Sequence, residues 1–284
     1  PKPQTPNPKP PLIIITYWFI MDNNVFEKSK TFKDYELSTE ILEALEKLKY
    51  QFPTKVQAET LEYTLKGKDM IALAETGSGK TLAFCLPIIE SLLKNPKPYY
   101  ALILAPTREL CLQIQEHLNS IGSSIGLKSV VIVGGLDLMS QSVALVSKKP
   151  HVIIATPGRI LHHLEKTKGF NLQSLAYLVM DEADKLLNMN FEEDLDKIIE
   201  KLPKKRVTFL FSATMTNKVS KLQRVSLSNP VKIEISNSKH QTVNSLVQNY
   251  IFIPHKYKES YLVYLVNEFI KKSTIIFVST CKGA

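Results

Sequence analysis

Short apolar runs recur along most of the chain and alternate with stretches that have a helical pattern. The runs are rich in Val, Ile, Leu and Ala and occupy residues 70–74, 101–106, 129–135, 151–157, 175–184 and 207–214. Runs that are apolar on both faces are typical of parallel strands covered by helices. Helical patterns fill the intervals at 81–94, 108–122, 136–147, 158–167 and 191–202. The alternation predicts an α/β fold with a doubly wound parallel sheet.

The pattern changes towards the end of the chain. Residues 216–247 are mixed and polar, whereas QNYIFIP (248–254) and TIIFVST (274–280) have the composition of strands and flank a helical pattern at 256–272. We therefore expect a main domain over 59–235, a linker over 236–247 and the incomplete β-α-β start of a second domain over 248–284.

The first twenty residues differ from the rest. A Pro-rich segment is followed by nine apolar residues, LIIITYWFI, and then by Met21. A membrane helix needs about 20 apolar residues, and a secretory signal needs a basic start and a cleavage site. These features predict neither a membrane span nor a signal, and we interpret residues 1–20 as a non-native or disordered extension before a native start at Met21.

Composition narrows the possible partners. The chain has 284 residues, a formal net charge of +9 and a pI near 9.2, which favour polyanions such as nucleic acid. Solubility alone is the alternative explanation of this charge. The three cysteines, Cys85, Cys111 and Cys281, lack metal-like spacing and are expected to be buried thiols in a reducing compartment.

The segment AETGSGKT (74–81) lies between a predicted strand and a predicted helix, which is the context of a phosphate-binding loop. Its glycines allow backbone N–H groups to point at an anion, while Lys80 reaches the β- and γ-phosphates and Thr81 holds Mg²⁺. Ala74 replaces the usual first Gly, and a chance turn is the alternative. The predicted nucleotide-binding residues here are Thr76, Gly77, Ser78, Gly79, Lys80 and Thr81.

An acidic segment, DEAD (181–184), follows the predicted strand LAYLVM. Carboxylates at the end of a parallel strand lie at the edge where ligands bind in such folds. We predict that Asp181 coordinates Mg²⁺, partly through water, and that Glu182 orients or deprotonates the water that attacks the γ-phosphate. The alternative is an acidic helix N-terminus stabilised by the helix dipole.

These segments belong to an ordered set. PTREL (106–110), GG (134–135), TPGR (156–159), DEAD (181–184) and SAT (212–214) occur in the order typical of DEAD-box ATP-dependent RNA helicases, which the sequence resembles over about residues 32–280. SSIGLKSVVIVGGLDLMSQS, KTKGFNL and YLVMDEADKLLNMNF resemble the eukaryotic nucleolar subgroup that acts in ribosomal RNA processing. The resemblance implies a RecA-like P-loop fold, the start of a second RecA-like domain, ATP and Mg²⁺, and RNA unwinding or remodelling. It also implies pre-ribosomal protein partners, a monomer, and a nuclear, nucleolar location.

The resemblance extends to an adenine-recognising segment over residues 30–58. It implies that Tyr50 stacks on adenine and that Gln57, in PTKVQ (53–57), hydrogen-bonds the polar edge of the base. Lys49 stands where the family usually has Gly, and Phe52 fills a commonly polar position; both departures bear on the local backbone. A surface glutamine in a helix is the alternative interpretation of Gln57.

In the family, the hydroxyls of SAT link the ATP site to domain closure. The resemblance therefore implies catalytic roles for Ser212 and Thr214, which would hydrogen-bond the acidic segment, together with Lys80, Asp181 and Glu182. A role for Ser212 as a helix cap is the alternative.

Three of the family segments follow predicted strands and are therefore expected along one edge of the sheet. Arginines clasp phosphates bidentately, glycines allow close backbone approach, and threonine hydroxyls bond phosphate or sugar oxygens. Such contacts position an RNA backbone without reading its bases, and solvated surface charge is the alternative for each arginine. The predicted RNA-binding residues are Pro106, Thr107, Arg108, Gly134, Gly135, Thr156, Gly158 and Arg159.

In this family a second domain supplies arginines to the γ-phosphate, and no counterpart follows TIIFVST. We therefore expect an N-terminal fragment that binds ATP or ADP weakly and shows little RNA-stimulated hydrolysis alone. Two other functions stay open: a non-catalytic RNA- or nucleotide-binding fragment, and another P-loop ATPase such as a DNA helicase or a transporter motor. An assay of ATP hydrolysis with and without RNA distinguishes the helicase from a non-catalytic fragment. Comparing stimulation by RNA and by DNA distinguishes it from another P-loop ATPase.

Overall fold

The structure is a computed structural model that describes residues 26–235 and 251–278. Contacts divide the chain into two units, and these two ranges belong to different units. The expected extension at 1–20, the expected linker at 236–247 and Cys281 lie outside the described residues.

Within residues 26–235, seven strands form one sheet in which all neighbouring strands run parallel. Their order is β3-β4-β2-β5-β6-β1-β7. This arrangement confirms the doubly wound parallel α/β fold. The strands are β1 Met70–Leu73, β2 Ala101–Leu104, β3 Ser129–Ile132, β4 Val152–Ala155, β5 Tyr177–Met180, β6 Val207–Ser212 and β7 Val231–Glu234.

Helices precede the sheet, connect its strands and cover both of its faces. Since parallel strands need crossover connections, each pair of successive strands is joined by at least one helix. The α-helices of this unit are α1 Thr39–Lys47, α2 Lys55–Thr64, α3 Lys80–Lys94, α4 Arg108–Gly122, α5 Leu138–Lys148, α6 Pro157–Lys166, α7 Ala183–Asn188, α8 Glu192–Lys201 and α9 Asn217–Ser226. Short 3-10 turns occur at Phe32–Asp34 and Ser123–Ile125.

Two hydrophobic cores lie on opposite faces of the sheet. Alternate residues of a strand enter different cores: Phe209 and Phe211 pack in one, whereas Leu210 packs in the other. All three are fully buried, and each such side chain contributes about 1.5–3 kcal/mol to folding. This explains why the strand sequences are apolar on both faces.

The strand order divides the loops at the carboxyl edge of the sheet into two adjacent groups. The loops after β1, β5 and β6 carry the phosphate loop, the acidic segment and SAT, and we call them the nucleotide half. The loops after β2, β3 and β4 carry PTREL, GG and TPGR, and we call them the RNA half; both names state the ligand that the sequence predicts. The two halves meet where β2 pairs with β5.

Several elements differ from those expected. Helix α5 begins at Leu138 rather than at residue 136 because Asp137 caps it, accepting a hydrogen bond from the Ser140 amide at 2.7 Å. Helix α9 and strand β7 lie in the region expected to be mixed. Strand β7 is a polar edge strand that pairs only with β1 among the described residues, so it lacks a long apolar run.

The second unit contains a 3-10 turn at His255–Tyr257 and helix α10, Lys258–Glu268, which confirms the central part of the expected helix. The strands expected at 248–254 and 274–280 are wrong for their described parts, since residues 251–254 and 274–278 form no strand. Their apolar residues are exposed, with Phe252 at 97% and Phe277 at 92%. A strand requires a hydrogen-bonded neighbour, and the described part of this unit provides none.

Candidate nucleotide and RNA site

The phosphate loop connects β1 to the N-terminus of α3. Gly77 and Gly79 adopt positive φ values of 84° and 92°, which glycine allows without strain. Lys80 is buried, and its Nζ donates a hydrogen bond to the Ala74 carbonyl at 3.0 Å. The cation is therefore held inside the loop by a neutral acceptor, which a phosphate would replace with a charged one.

Gln57 joins the predicted adenine segment to the phosphate loop. Its Oε1 accepts from the Thr54 amide at 2.9 Å, and its Nε2 donates to the Gly79 carbonyl at 2.9 Å. Gln57 is 3% exposed, so the alternative of a surface glutamine is wrong. A Cβ at Gly79 would lie 2.6 Å from Gln57 Nε2 and 2.9 Å from Thr54 Oγ1, so this contact also requires glycine.

The backbone before Tyr50 explains the departure at Lys49. Lys49 has a positive φ of 62°, and its amide donates to the Glu46 carbonyl while the Tyr50 amide donates to the Leu45 carbonyl, both at 2.9 Å. This is the Schellman ending of α1, in which glycine is the favoured residue at the position of Lys49. The helix ending therefore sets the position of Tyr50, which packs half-buried beside the first core.

The acidic segment begins directly after β5. Asp181 is 3% exposed, and burial raises the pKa of its carboxyl to about 6 against the opposing effect of the Lys80 charge. Glu182 adopts a left-handed conformation with φ 50°, and one of its carboxylate oxygens forms an ion pair with Lys185 at 2.9 Å. A buried carboxylate near a buried lysine is the electrostatic pattern of a functional site.

SAT makes one of its two expected contacts with the acidic segment. Thr214 Oγ1 donates to Asp184 Oδ2 at 3.0 Å, which links β6 to the segment after β5. The expected contact of Ser212 is wrong, because its hydroxyl donates to the Thr214 carbonyl at 2.8 Å. Ser212 is also not a helix cap, since Thr216 caps α9.

In the RNA half, Arg108 lies against the glycine pair that follows β3. Pro106 is buried after β2, and Thr107 caps α4 by accepting a hydrogen bond from the Leu110 amide at 3.3 Å. The exposed Arg108 begins this helix, and its guanidinium occupies the space that a Cβ at Gly135 would need. Gly135 also has a positive φ of 76°, so its conformation favours glycine, and the absence of a Cβ lets the Arg108 guanidinium lie against it.

The loop after β4 supplies the second arginine. Arg159 Nη1 is buried and has no hydrogen-bond partner among the described residues, and the Thr156 hydroxyl does not cap α6. Buried donors without a protein partner are rare, so the hydrogen-bonding capacity of this nitrogen is one that no described group uses. The close neighbour of Gly158 is Asp194 on α8, 3.2 Å from the Cβ position, so helix packing contributes to the choice of glycine here.

The profile of the DEAD/DEAH box helicase family matches residues 54–222, which is more than half of the chain. The chain belongs to the DEAD/DEAH box helicase family. Its doubly wound sheet is the RecA-like fold of these helicases. The family resemblance read from the sequence is thus confirmed, and the arrangement of motifs around the sheet is consistent with it.

Similar helicases occur among curated proteins. The chain is 57% identical over 253 residues to "ATP-dependent rRNA helicase rrp3" of Aspergillus niger, covering 89% of this chain and 54% of the relative. It is 59% identical over 257 residues to "Probable ATP-dependent RNA helicase DDX47" of Homo sapiens, covering 90% of this chain and 56% of the relative. It is 56% identical to "ATP-dependent RNA helicase DDX47" of Drosophila melanogaster, covering 90% of this chain and 50% of the relative. The chain spans about half the length of these helicases.

Sequence reasoning overlooked several residues that shape this helicase site. Thr54 lies in PTKVQ and has a local signal, because Thr-x-x-Gln is the signature of the capping box that it forms with Gln57. Asp184 lies in DEAD, but its role as acceptor for Thr214 depends on the pairing of β5 with β6. Gln141 and His163, which contact each other behind the RNA half, carry no local signal.

Proposed function

We propose that this chain is the nucleotide- and RNA-binding part of an ATP-dependent RNA helicase that acts in ribosomal RNA processing. The observation that supports this most is the grouping of six loops at one sheet edge, three with phosphate-loop chemistry beside three with arginines and glycines. The names of the relatives add ribosomal RNA as the substrate class. Nuclear and nucleolar location, pre-ribosomal partners and a monomeric state belong to the same proposal. Within the described residues, no helix has the length and apolarity to cross a membrane.

Nucleotide would enter the nucleotide half with its phosphates at the N-terminus of α3. The N–H groups of the loop and the helix dipole attract anions there, and Lys80 would exchange the Ala74 carbonyl for the β- and γ-phosphates. Tyr50 would stack on adenine. Gln57 would offer its remaining donor and acceptor capacity to the base while keeping its bonds to Thr54 and Gly79.

The residues around Asp181 fit Mg²⁺ because a hydroxyl and a buried carboxylate supply the oxygen ligands that this ion prefers. Thr81 and Asp181 would hold it, partly through water. When bound, the ion supplies positive charge that offsets the charge on the phosphates.

Glu182 would orient the water that attacks the γ-phosphate. One of its carboxylate oxygens is paired with Lys185, and the other would accept the hydrogen bond from that water. Thr214, bonded to Asp184, would carry the state of this site to strand β6. Ser212 would support Thr214 by bonding its carbonyl.

RNA would lie along the RNA half, held through its backbone. Arg108 and Arg159 would pair with phosphates, Gly134 and Gly135 would allow close approach, and Thr156 would bond phosphate or sugar oxygens. The N-termini of α4 and α6 lie behind these loops and favour anions. Contact with the 2′-hydroxyl would select RNA over DNA.

The proposal is tested by measuring ADP binding calorimetrically and RNA binding by fluorescence anisotropy. We expect Lys80→Ala to weaken ADP binding by on the order of a hundredfold and to leave RNA affinity unchanged, because Lys80 is buried in the nucleotide half. Lys66→Ala, which removes an exposed lysine after α2, is the matched control. Unchanged ADP affinity in Lys80→Ala, or tighter binding of DNA than of RNA of the same sequence, would count against the proposal.

A further inference from the structure

A buried polar network lies between helices α5 and α6, behind the RNA half. Gln141 is 5% exposed and His163 is fully buried. Gln141 Nε2 donates to the Val133 carbonyl at 2.9 Å, and Gln141 Oε1 lies 3.2 Å from His163 Nε2. The chain of contacts continues from His163 Nδ1 to Thr167 Oγ1 at 2.8 Å. Nothing in the nucleotide or RNA chemistry described above uses these groups.

The Val133 carbonyl at one end of this network fixes the direction of its hydrogen bonds, because a carbonyl can only accept. Because Gln141 donates to Val133, its Oε1 is left to accept, so His163 must carry its hydrogen on Nε2. His163 Nδ1 then accepts from the Thr167 hydroxyl. A neutral imidazole satisfies every one of these groups, and burial lowers the pKa of His163 and so favours that form.

The two ends of the network reach different loops of the RNA half. Val133 directly precedes Gly134 and Gly135, and Gly135 packs against the guanidinium of Arg108. His163 lies on α6, the helix that begins in the TPGR segment and carries Arg159. The network therefore connects the loops after β2, β3 and β4 through side chains that do not face the RNA half themselves.

We propose that Gln141 and His163 are positioning residues that hold the three loops of the RNA half in a single RNA-binding arrangement. The inference rests on the proposed RNA-binding function. A buried polar network specifies one arrangement when each member is satisfied, and losing one partner leaves the others unsatisfied in a low-dielectric interior. Without the Gln141–His163 bond, this contact no longer fixes the position of the glycine loop (134–135) relative to α6.

The experiment measures the affinity of the chain for fluorescein-labelled single-stranded oligouridylate by anisotropy. We expect Gln141→Leu and His163→Leu each to weaken RNA binding about fivefold to tenfold, because each leaves buried groups unsatisfied. The double variant should bind no more weakly than either single variant, since both changes remove the same link. ADP affinity should stay within about twofold, because nucleotide chemistry lies across the β2–β5 boundary.

A variant that keeps the hydrogen bond of His163 to Gln141 distinguishes a positioning role from general destabilisation. His163→Gln should retain RNA affinity within about twofold, because its carboxamide can donate to Gln141 Oε1. Gln141→Glu keeps the volume but loses the donor to the Val133 carbonyl, so it serves as the weakening variant if the leucine variants fail to fold. Ser226→Ala is the stability control, because it removes a buried 2.6 Å hydrogen bond to the Leu222 carbonyl on α9.

Unchanged RNA affinity in Gln141→Leu and His163→Leu, or an equal loss in Ser226→Ala, would overturn the positioning role while leaving the proposed function intact. Failure of the wild-type chain to bind RNA at all would overturn the RNA-binding function and this inference together.

Discussion

The nucleotide half and the RNA half share one sheet edge but differ in how their polar groups are arranged. In the nucleotide half, side chains predicted to act on ATP are hydrogen-bonded to other groups of the chain: Gln57 to Gly79, Lys80 to Ala74 and Thr214 to Asp184. In the RNA half, Arg159 has a buried nitrogen without a partner among the described residues, and the loops are linked from behind by Gln141 and His163. A nucleotide bound in the first half would have to replace existing hydrogen bonds such as Lys80 to Ala74, whereas the Arg159 nitrogen of the second half has no such bond to replace.

The largest expected effect comes from a change in the nucleotide half. Gly79→Ala would place a Cβ 2.6 Å from Gln57 Nε2 and 2.9 Å from Thr54 Oγ1, and the short Thr54 side chain at a helix cap has little freedom to move. We expect ADP affinity to fall on the order of a hundredfold and RNA affinity to stay unchanged. Calorimetry and anisotropy measure the two.

Gly126→Ala is the matched control for Gly79→Ala, because Gly126 also has a positive φ, 69°, but its Cβ position is in open space. It carries the same type of backbone strain without the collision. An equal loss of ADP affinity in both variants would attribute the effect to a general loss of stability rather than to the collision.

The corresponding glycine of the RNA half should give a smaller effect. In Gly135→Ala the new Cβ meets only the flexible end of Arg108, which can move aside, so the cost in stability is that of the positive φ of 76°. We expect RNA affinity to fall about tenfold, because the guanidinium is displaced, and ADP affinity to remain within about twofold. A parallel fall in ADP affinity would show that the two halves are not separable in this way.

The fold and the site differ in how much could be predicted from sequence. The strands β1, β2, β4, β5 and β6 were predictable because they are buried on both faces, as shown by the full burial of the neighbours Leu102 and Ile103, which pack in different cores. Strand β7 was not, because an edge strand such as Val231–Glu234 needs few apolar residues. The separation into halves was also hidden, since strand order depends on pairing across long sequence distances rather than on local pattern.

At the site, the sequence predicted which residues take part better than it predicted which groups those residues hydrogen-bond. Lys80 and Asp181 could be assigned from local segments, but the Lys80–Ala74 bond and the Gln57–Gly79 bond depend on the three-dimensional path of the loop. The same holds for Ser212. Its hydroxyl donates to the Thr214 carbonyl rather than to the acidic segment, and this depends on the geometry of the turn after β6.

A smaller effect concerns the pH dependence of folding stability that arises from His163 in the buried network behind the RNA half. Burial, aided by the charges of His162 and Arg159, lowers the pKa of His163, while α5 presents the neutral groups of Gln141 and Ser142 to it. The unfolded chain therefore takes up a proton at higher pH than the folded chain does. The free energy of unfolding should fall as pH decreases from 7 to 5, by at most about 1.4 kcal/mol per pH unit from this group.

His163→Gln should flatten that part of the pH dependence, as measured by urea denaturation at several pH values. His117→Gln, an exposed histidine on α4, is the control and should leave the slope as in the wild type. Identical slopes for the wild type and His163→Gln would contradict the assignment of a neutral imidazole to the network.

The smallest effect lies at the helix ending that sets the position of Tyr50. Lys49→Gly should raise the free energy of unfolding by about 1 kcal/mol, because glycine adopts the left-handed conformation without the penalty of a Cβ. Lys47→Gly, inside the last turn of α1, should lower it by about 1 kcal/mol. Urea midpoints measure both, and a destabilised Lys49→Gly would contradict the Schellman ending.

The division of the sheet edge is tested most directly by mapping backbone amide NMR shifts of the chain during titration with ADP and Mg²⁺ and, separately, with single-stranded RNA. The division predicts that nucleotide shifts the amides of residues 74–81, 181–184 and 212–214, and that RNA shifts those of 106–110, 134–135 and 156–159. Shifts of equal size in both groups with either ligand would contradict it.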